Sequence, residues 1–233
     1  MSTIAPLARL GRLAVDLLYP PRCALCGRGG VFLCPACSAE LPAAEGRRCD
    51  ACWMPIHGAA CESCRAQAPA FATLRAPFRY EGEVHRLVHA FKYGGQSALA
   101  ASLAAPMAAL QRQRPPVDLI APVPLSGRRR RQRGFNQAAL LARQIGTALD
   151  LAVDESLERR RSSPPQAQSA GVDERRRNVA GAFRVRDAAA VAGRRVLLID
   201  DVATTGATLD ECARVLLAAG AEAVTALTFA RED

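Results

Sequence analysis

Hydrophobic positions along this chain fall into three different rhythms, and each predicts a different kind of element. The run Val196-Leu197-Leu198-Ile199 is apolar at every position. Four branched or long apolar residues in a row suit a parallel strand covered on both faces. It ends in Asp200-Asp201 and opens into Val202-Ala203-Thr204-Thr205-Gly206-Ala207-Thr208. Leu209, Cys212, Ala213 and Leu216 then recur at helical spacing, Gly220 stands where a C-terminal helix glycine belongs, and Ala223 to Phe229 reads as another strand. Leu119 to Pro124 gives a further apolar strand, followed by a helix from near Asn136 with Leu140, Leu141 and Ile145 inward. Upstream, Leu74, Ala76, Phe78 and Tyr80 alternate as a strand would, and Val84, Leu87, Val88 and Phe91 mark a short amphipathic helix. Strands alternating with helices define an α/β domain with a parallel sheet over residues 71–233.

The N-terminal third has little of this patterning. The leucines of residues 4–19 include those at 7, 10, 17 and 18, interrupted by Arg9, Arg12 and Asp16. Those charges break any signal-peptide core, and no stretch is long enough to cross a bilayer. An amphipathic helix over 1–19 is the expectation, with membrane-surface binding as the lesser alternative. Residues 20–70 hold few large apolar side chains but eight paired cysteines: Cys23/Cys26, Cys34/Cys37, Cys49/Cys52 and Cys61/Cys64. Each CxxC turn can present two thiolates to one ion, and two such knuckles complete a tetrahedral zinc site. Four knuckles therefore predict two structural Zn²⁺ ions, with no open position for catalysis. Sequential and interleaved pairings of the knuckles are both open. Disulfides are the competing use, but no secretory segment precedes the cysteines and a reducing cytoplasmic setting is expected. For so small a module, metal binding supplies folding free energy.

The 233 residues carry a formal charge of +9. Zinc bound through eight thiolates would turn the small positive excess of the N-terminal part slightly negative, so the basic field belongs to the α/β part. Arg128, Arg129, Arg130, Arg131 and Arg133 follow the strand at Leu119–Pro124. An arginine loop at the carboxyl end of a strand is well placed to take a diphosphate. Five arginines exceed that need, and the surplus is either a solvated loop or a track for a nucleic-acid backbone. Lys92 is the only lysine; it is either a compact point charge toward phosphate or an ordinary surface residue. Arg159 to Arg161 followed by Ser162-Ser163-Pro164-Pro165 reads as a loop able to close over a ligand or as a plain linker. His85 and His89, four apart, lack a third ligand and suit a helix surface. Trp53 beside Cys52 serves as apolar cover for the zinc module rather than as a stacking platform.

The Val196–Thr208 stretch combines hydroxyl acceptors (the aspartates) with an anion-binding loop at a helix N-terminus. It resembles the phosphoribosyl-diphosphate (PRPP) signature of the type I phosphoribosyltransferases. The resemblance implies that Asp200 and Asp201 are the catalytic pair holding the ribose 2′ and 3′ hydroxyls. It also implies that Val202, Ala203, Thr204, Thr205, Gly206, Ala207 and Thr208 complete the ribose and 5′-phosphate site, with Mg²⁺ accompanying PRPP. Only Ala230 to Asp233 follow the last strand, so the hood that reads the acceptor is expected N-terminal to the core. A double zinc ribbon ahead of such a domain resembles the ComF family, associated with natural competence in bacteria. Phe91–Gly95 (FKYGG), Pro122–Leu125 (PVPL), Arg131–Ala138 (RQRGFNQA) and Arg175–Phe183 (RRRNVAGAF) fit the same family. Two functions follow from the resemblance: transfer of a phosphoribosyl group to an unidentified acceptor, or non-catalytic binding of single-stranded DNA during uptake. The implied partners are PRPP, single-stranded DNA and the competence helicase or uptake machinery, with a homo-oligomer left open.

Overall fold

The computed structural model describes residues 20–56, 58, 60–160 and 172–233. The predicted N-terminal helix over 1–19 and the loop from 161 to 171 lie outside these residues. The chain divides into two compact units between Leu41 and Pro42.

The first unit is built on its cysteines. Cys23 and Cys34 are buried, Gly27 turns the first knuckle at φ +74°, and α1 (Pro35–Ala39) begins directly after Cys34. No large apolar side chain accompanies them in α1, which has no buried residue.

The second unit contains the sheet. In chain order its elements are α2 (Glu62–Ala66), β1 (Leu74–Arg75), β2 (Phe78–Arg79), α3 (Gly82–Tyr93) and α4 (Leu99–Arg112). There follow β3 (Leu119–Pro122), α5 (Gly127–Arg133), α6 (Gln137–Leu149), β4 (Leu157–Arg159), α7 (Val172–Val179) and β5 (Phe183–Val185). The last three are β6 (Arg195–Ala203), α8 (Ala207–Ala218) and β7 (Ala223–Arg231). Strands β1 and β2 both pair with β7, and the order continues to β6 and β3, all parallel. A bridge from Ile120 to Val153 extends the β3 edge, while β4 and β5 form a separate antiparallel pair. Helices α4 and α6 pack together, α6 against β3 and β6 and α4 against β7; α8 contacts β6, β7, β5 and α7. This layering explains the unbroken apolar run of β6, where Val196 to Ile199 are fully buried.

Two elements differ from the sequence pattern. The alternating stretch Leu74 to Tyr80 is one register line interrupted at Ala76-Pro77, because a proline has no N–H for the ladder. The break frees the carbonyls of Ala76 and Pro77, which accept from the Trp53 indole N–H (2.9 Å) and the Ala44 N–H (2.8 Å). The arginine stretch is a helix rather than a loop: Ser126 caps α5 by accepting from the Arg129 N–H, and Gly134 ends it at φ +78°. Helix α4 had no clear periodic signal. Its buried face is alternately Leu99, Leu103 and Met107 with alanines at 100, 104 and 108, which contrast weakly with their neighbours.

Candidate functional site

The C-terminal end of β6 delivers the acidic pair to the rim of the sheet. Asp201 is 7% exposed and accepts from Lys92, Nζ to Oδ1 2.9 Å. The Asp200 carboxylate accepts from the Asp201 N–H at 2.8 Å. Burial, reinforced by the charge of Asp201, pushes the Asp200 carboxyl up to about 7, against the opposing pull of Lys92 and Arg133. Burial pulls Lys92 down, but Asp201 and Asp200 outweigh it and hold its ammonium charged beyond the ordinary lysine range.

After Ala203 the chain turns through Thr204-Thr205-Gly206 into α8. Gly206 is the N-cap at φ +76°, a conformation that any side chain would strain, and its carbonyl accepts the first helical bond from Asp210. Thr205 Oγ1 accepts from the Ala207 N–H. The free N–H groups and dipole of this helix start favour a phosphate.

A cleft of about 180 Å³ lies beside the pair, lined among others by Lys92, Arg129, Arg133, Arg159, Asp200 and Thr208. Of the five arginines of α5, Arg129 and Arg133 reach it, whereas Arg128, Arg130 and Arg131 stand exposed. Val202 also lines it, while Thr204, Thr205, Gly206 and Ala207 line a second cavity on the other side of the loop. Arg133 donates to Tyr93 Oη (2.8 Å) and Gln137 Oε1 (3.1 Å), and its guanidinium lies 4.7 Å from the Tyr93 ring centroid.

Two residues here, Gln137 and Arg231, carried no signal of their own in the sequence, and Arg159, expected in a loop, instead ends strand β4. Gln137 is 1% exposed; Arg133 can only donate, so the amide oxygen faces it and Nε2 is left without a partner. Arg159 lies over the Phe183 ring (5.1 Å), its cross-strand neighbour in the β4–β5 pair. Arg231, 2% exposed at the end of β7, donates from Nε to the Cys52 carbonyl (3.1 Å). Its Nη1 donates to the carbonyls of Ala203 (3.1 Å), Thr204 and Glu232 (2.7 Å). An arginine closing the buried run Leu227-Thr228-Phe229-Ala230 was the only available hint. His85 and His89 are exposed and stack on Tyr80 and Tyr93.

The eight knuckle cysteines form two sequential groups, Cys23/Cys26/Cys34/Cys37 and Cys49/Cys52/Cys61/Cys64, with the sulfurs of each group within 4.8 Å of one another. Pairs stand at 3.7 Å (Cys26–Cys34), 3.7 Å (Cys49–Cys64) and 3.6 Å (Cys52–Cys61). A tetrahedral Zn–S₄ centre with bonds of ~2.3 Å needs edges of about 3.8 Å, so both groups fit structural zinc. The second group is fastened to the sheet. Leu74 N–H donates to the Ala51 carbonyl (2.7 Å), and Arg75 lies over the Trp53 ring at 4.4 Å. The Arg48–Asp233 pair is bidentate at 2.7 and 2.8 Å. Trp53 thus covers the knuckle against the core.

Residues 131–233 match the phosphoribosyl transferase domain model, and residues 14–66 match the double zinc ribbon domain model. Sheet, helices and cysteine groups together define a type I phosphoribosyltransferase fold carrying an N-terminal double zinc ribbon. The DNA utilization protein YhgH of Salmonella typhi is 32% identical over 233 residues, covering 96% of each chain. Competence protein F of Haemophilus influenzae is 28% identical, covering 86% of this chain and 97% of that protein. For competence protein ComFC of Bacillus subtilis the identity is 29%, over 85% and 84%. The chain belongs to the ComF family. No helix among the described residues is long and apolar enough to cross a membrane.

Proposed function

We propose that the chain binds Mg²⁺-PRPP in the cleft beside Asp200 and Asp201 and transfers its phosphoribosyl group, in a cytoplasmic process serving DNA uptake or utilization. The convergence of the acidic pair, Thr208 and three arginines on one cleft supports this reading. Asp200 and Asp201 accept hydrogen bonds from the ribose hydroxyls. The N–H groups at the start of α8 take the 5′-phosphate. Arg129, Arg133 and Arg159, with Lys92 at the edge, neutralise the diphosphate. When bound, Mg²⁺ screens the diphosphate charge and orients it. As the C1–O bond to diphosphate breaks, a bond from the acceptor forms at C1 and the acceptor's proton passes to solvent. Fixed guanidinium charges stabilise the departing diphosphate, and the loop holds C1 in line, so positioning and electrostatics carry the rate.

A second reading rests on a separate observation. Arg128, Arg130 and Arg131 are exposed with no ion pair among the described residues, on the same helix as Arg133, which donates to Tyr93, itself 62% exposed. Unpaired arginines on a helix that also holds an exposed aromatic suit the backbone and bases of single-stranded DNA. A screen for diphosphate release from Mg²⁺-PRPP across bases, amines and oligonucleotides tests the first reading. Release with at least one acceptor, lost in Asp200→Asn plus Asp201→Asn, is expected. PRPP binding with no release across the panel would leave the DNA-binding reading in its place.

A further inference from the structure

Asp200, the phosphate loop and the arginines of the cleft stand at the carboxyl ends of the strands. At the amino ends, where β7 meets the last turn of α4, lies a separate cavity of about 220 Å³ that shares no lining residue with the cleft. Strand alternation opens it. Val224 and Ala226 of β7 belong to the core cluster, which turns Ala223, Thr225 and Leu227 to the opposite face, against α4. Helix α4 ends at Arg112, so Leu227 is covered while Ala223 and Thr225 are left half-buried. The rim is fixed by its own bonds. Pro115 and Pro116 have set φ angles, Gln111 Nε2 donates to the Pro115 carbonyl (3.1 Å), and the Ala226 N–H donates to the Thr73 carbonyl (2.7 Å).

The wall is largely apolar, with Leu110, Val117 and Leu227 among its residues, yet Arg75 and Arg114 line it too. Arg75 is the register partner of Leu227 across β1 and β7 and is 6% exposed. Its Nη1 is committed to the carbonyls of Asp50 (2.6 Å) and Leu74 (2.8 Å). The carboxylate it pairs with, Asp50 at 3.3 Å, is a fully exposed side chain, where water screens the attraction. Burial, with the charge of Arg114 added to it, pulls Arg75 below the ordinary arginine range. The Arg114 side chain has no hydrogen bond or ion pair among the described residues. Arg195, a third arginine at the cavity, is spent on Asp118 at 2.9 and 2.6 Å. Thr225 is a lining residue whose Oγ1 is buried without a partner.

Two neighbouring guanidiniums with little counter-charge, set in an apolar wall, suit an anion with an apolar body. The donors left over match the two oxygens of one carboxylate, whereas a phosphate dianion costs more to bring against apolar surface. A volume below the ~300 Å³ lower end of small-molecule sites limits the body to one ring or a short branched chain. We infer that this cavity binds a small apolar carboxylate, held by Arg75 and Arg114, with its ring or branched chain against Leu110, Val117 and Leu227. The site lies at the other end of β6 from Asp200, so it fills alongside the cleft and not in competition with it.

The zinc-loaded full chain is titrated with phenylacetate, 4-methylpentanoate, phenylacetamide and inorganic phosphate, by calorimetry and by amide chemical shifts in NMR. Both carboxylates are expected to saturate one site at millimolar concentration or below, with shifts centred on residues 110–117 and 223–227. Phenylacetamide has the same shape without the charge and should bind about tenfold more weakly or worse; inorganic phosphate has charge without the body and should leave those amides unmoved. Arg114→Gln, at a half-buried position whose side chain has no partner to lose, should weaken both acids about tenfold with Tm unchanged within about 2 °C. Ala223→Leu fills the cavity and should abolish binding; if that variant does not fold, Arg114→Gln alone decides. Saturating Mg²⁺-PRPP should change neither affinity. The inference fails if neither acid saturates, if phenylacetamide binds as well as phenylacetate, or if a folded variant binds both acids as the parent does. It fails equally if the shifts centre on residues 200–208 or if Mg²⁺-PRPP displaces the acids.

Discussion

Replacing Arg231 by alanine removes a side chain that joins the second cysteine group to the phosphate loop. Its guanidinium satisfies the carbonyls of Cys52, Ala203, Thr204 and Glu232 while itself only 2% exposed. The exposed Glu232 carbonyl regains water on truncation, and the Ala203 carbonyl keeps the Glu232 N–H (2.9 Å); those of Cys52 and Thr204 lose a partner in a confined space. Each orphaned buried group costs about 1–3 kcal/mol, and at the lower end two of them cost about 2 kcal/mol. For a unit of this size that is a fall in Tm of about 4–8 °C. The loop also loses one of the anchors that fix its carbonyls, so Mg²⁺-PRPP affinity should drop about fivefold through lost pre-organisation. Arg231→Lys keeps the charge but cannot fork to three carbonyls, and should recover less than half of either loss. Thermal melts and titration calorimetry on the zinc-loaded chain read both quantities. A Tm change under about 2 °C with unchanged PRPP affinity would refute the clamp.

Three further outcomes follow from the same geometry. Because the Asp200 carboxyl is pushed up to about 7, it is largely protonated in the free protein below that pH. Binding of ribose hydroxyls and a divalent cation favours the carboxylate, so titrations near pH 6 in buffers of different ionisation enthalpy should show proton release, fading by about pH 8.5 and reduced in Asp200→Asn. No buffer dependence beyond that of the variant would exclude it. The sign for stability is the reverse of a paired aspartate: the folded chain holds this proton more tightly than the unfolded one, so this contribution is lost as pH rises from about 4 through 7. Metal analysis should give two Zn²⁺ per chain and one for Cys61→Ser, with the remaining thiols titrating as reduced; a zinc-free, disulfide-linked protein would exclude the metal centres. Gly206→Ala forces a side chain into φ +76°, costing about 1–2 kcal/mol and lowering PRPP affinity more than ribose-free diphosphate affinity; equal losses would place the strain elsewhere.

The parts of the site that were legible in the sequence are those whose chemistry is local. Val196 to Thr208 encodes its strand by unbroken apolarity, its acceptors by two adjacent aspartates and its loop by hydroxyls around a glycine that φ +76° requires. The cysteine knuckles are equally local, since each CxxC turn prepares two ligands. Residues whose roles depend on tertiary neighbours were not legible. Arg231 is an unremarkable arginine until β7 places it beside the Cys52 and Ala203 carbonyls. Gln137 begins an ordinary helix, and only the approach of Arg133 turns its amide. The arginine stretch looked like a loop because charge dominates its pattern, whereas Ser126 and Gly134 are short-range caps that make it a helix. Helix α4 was hidden by alanines, whose burial rests on close packing against α6 rather than on hydrophobic contrast.

Titration of the zinc-loaded chain with Mg²⁺-PRPP, beside Asp200→Asn plus Asp201→Asn, tests the central claim most directly. Saturable one-to-one binding by the parent, abolished by the double substitution while both Zn²⁺ ions and the melting transition are retained, is the expected result. No binding by the parent, or equal binding by the double variant, would contradict a ribose-phosphate site at Asp200–Thr208.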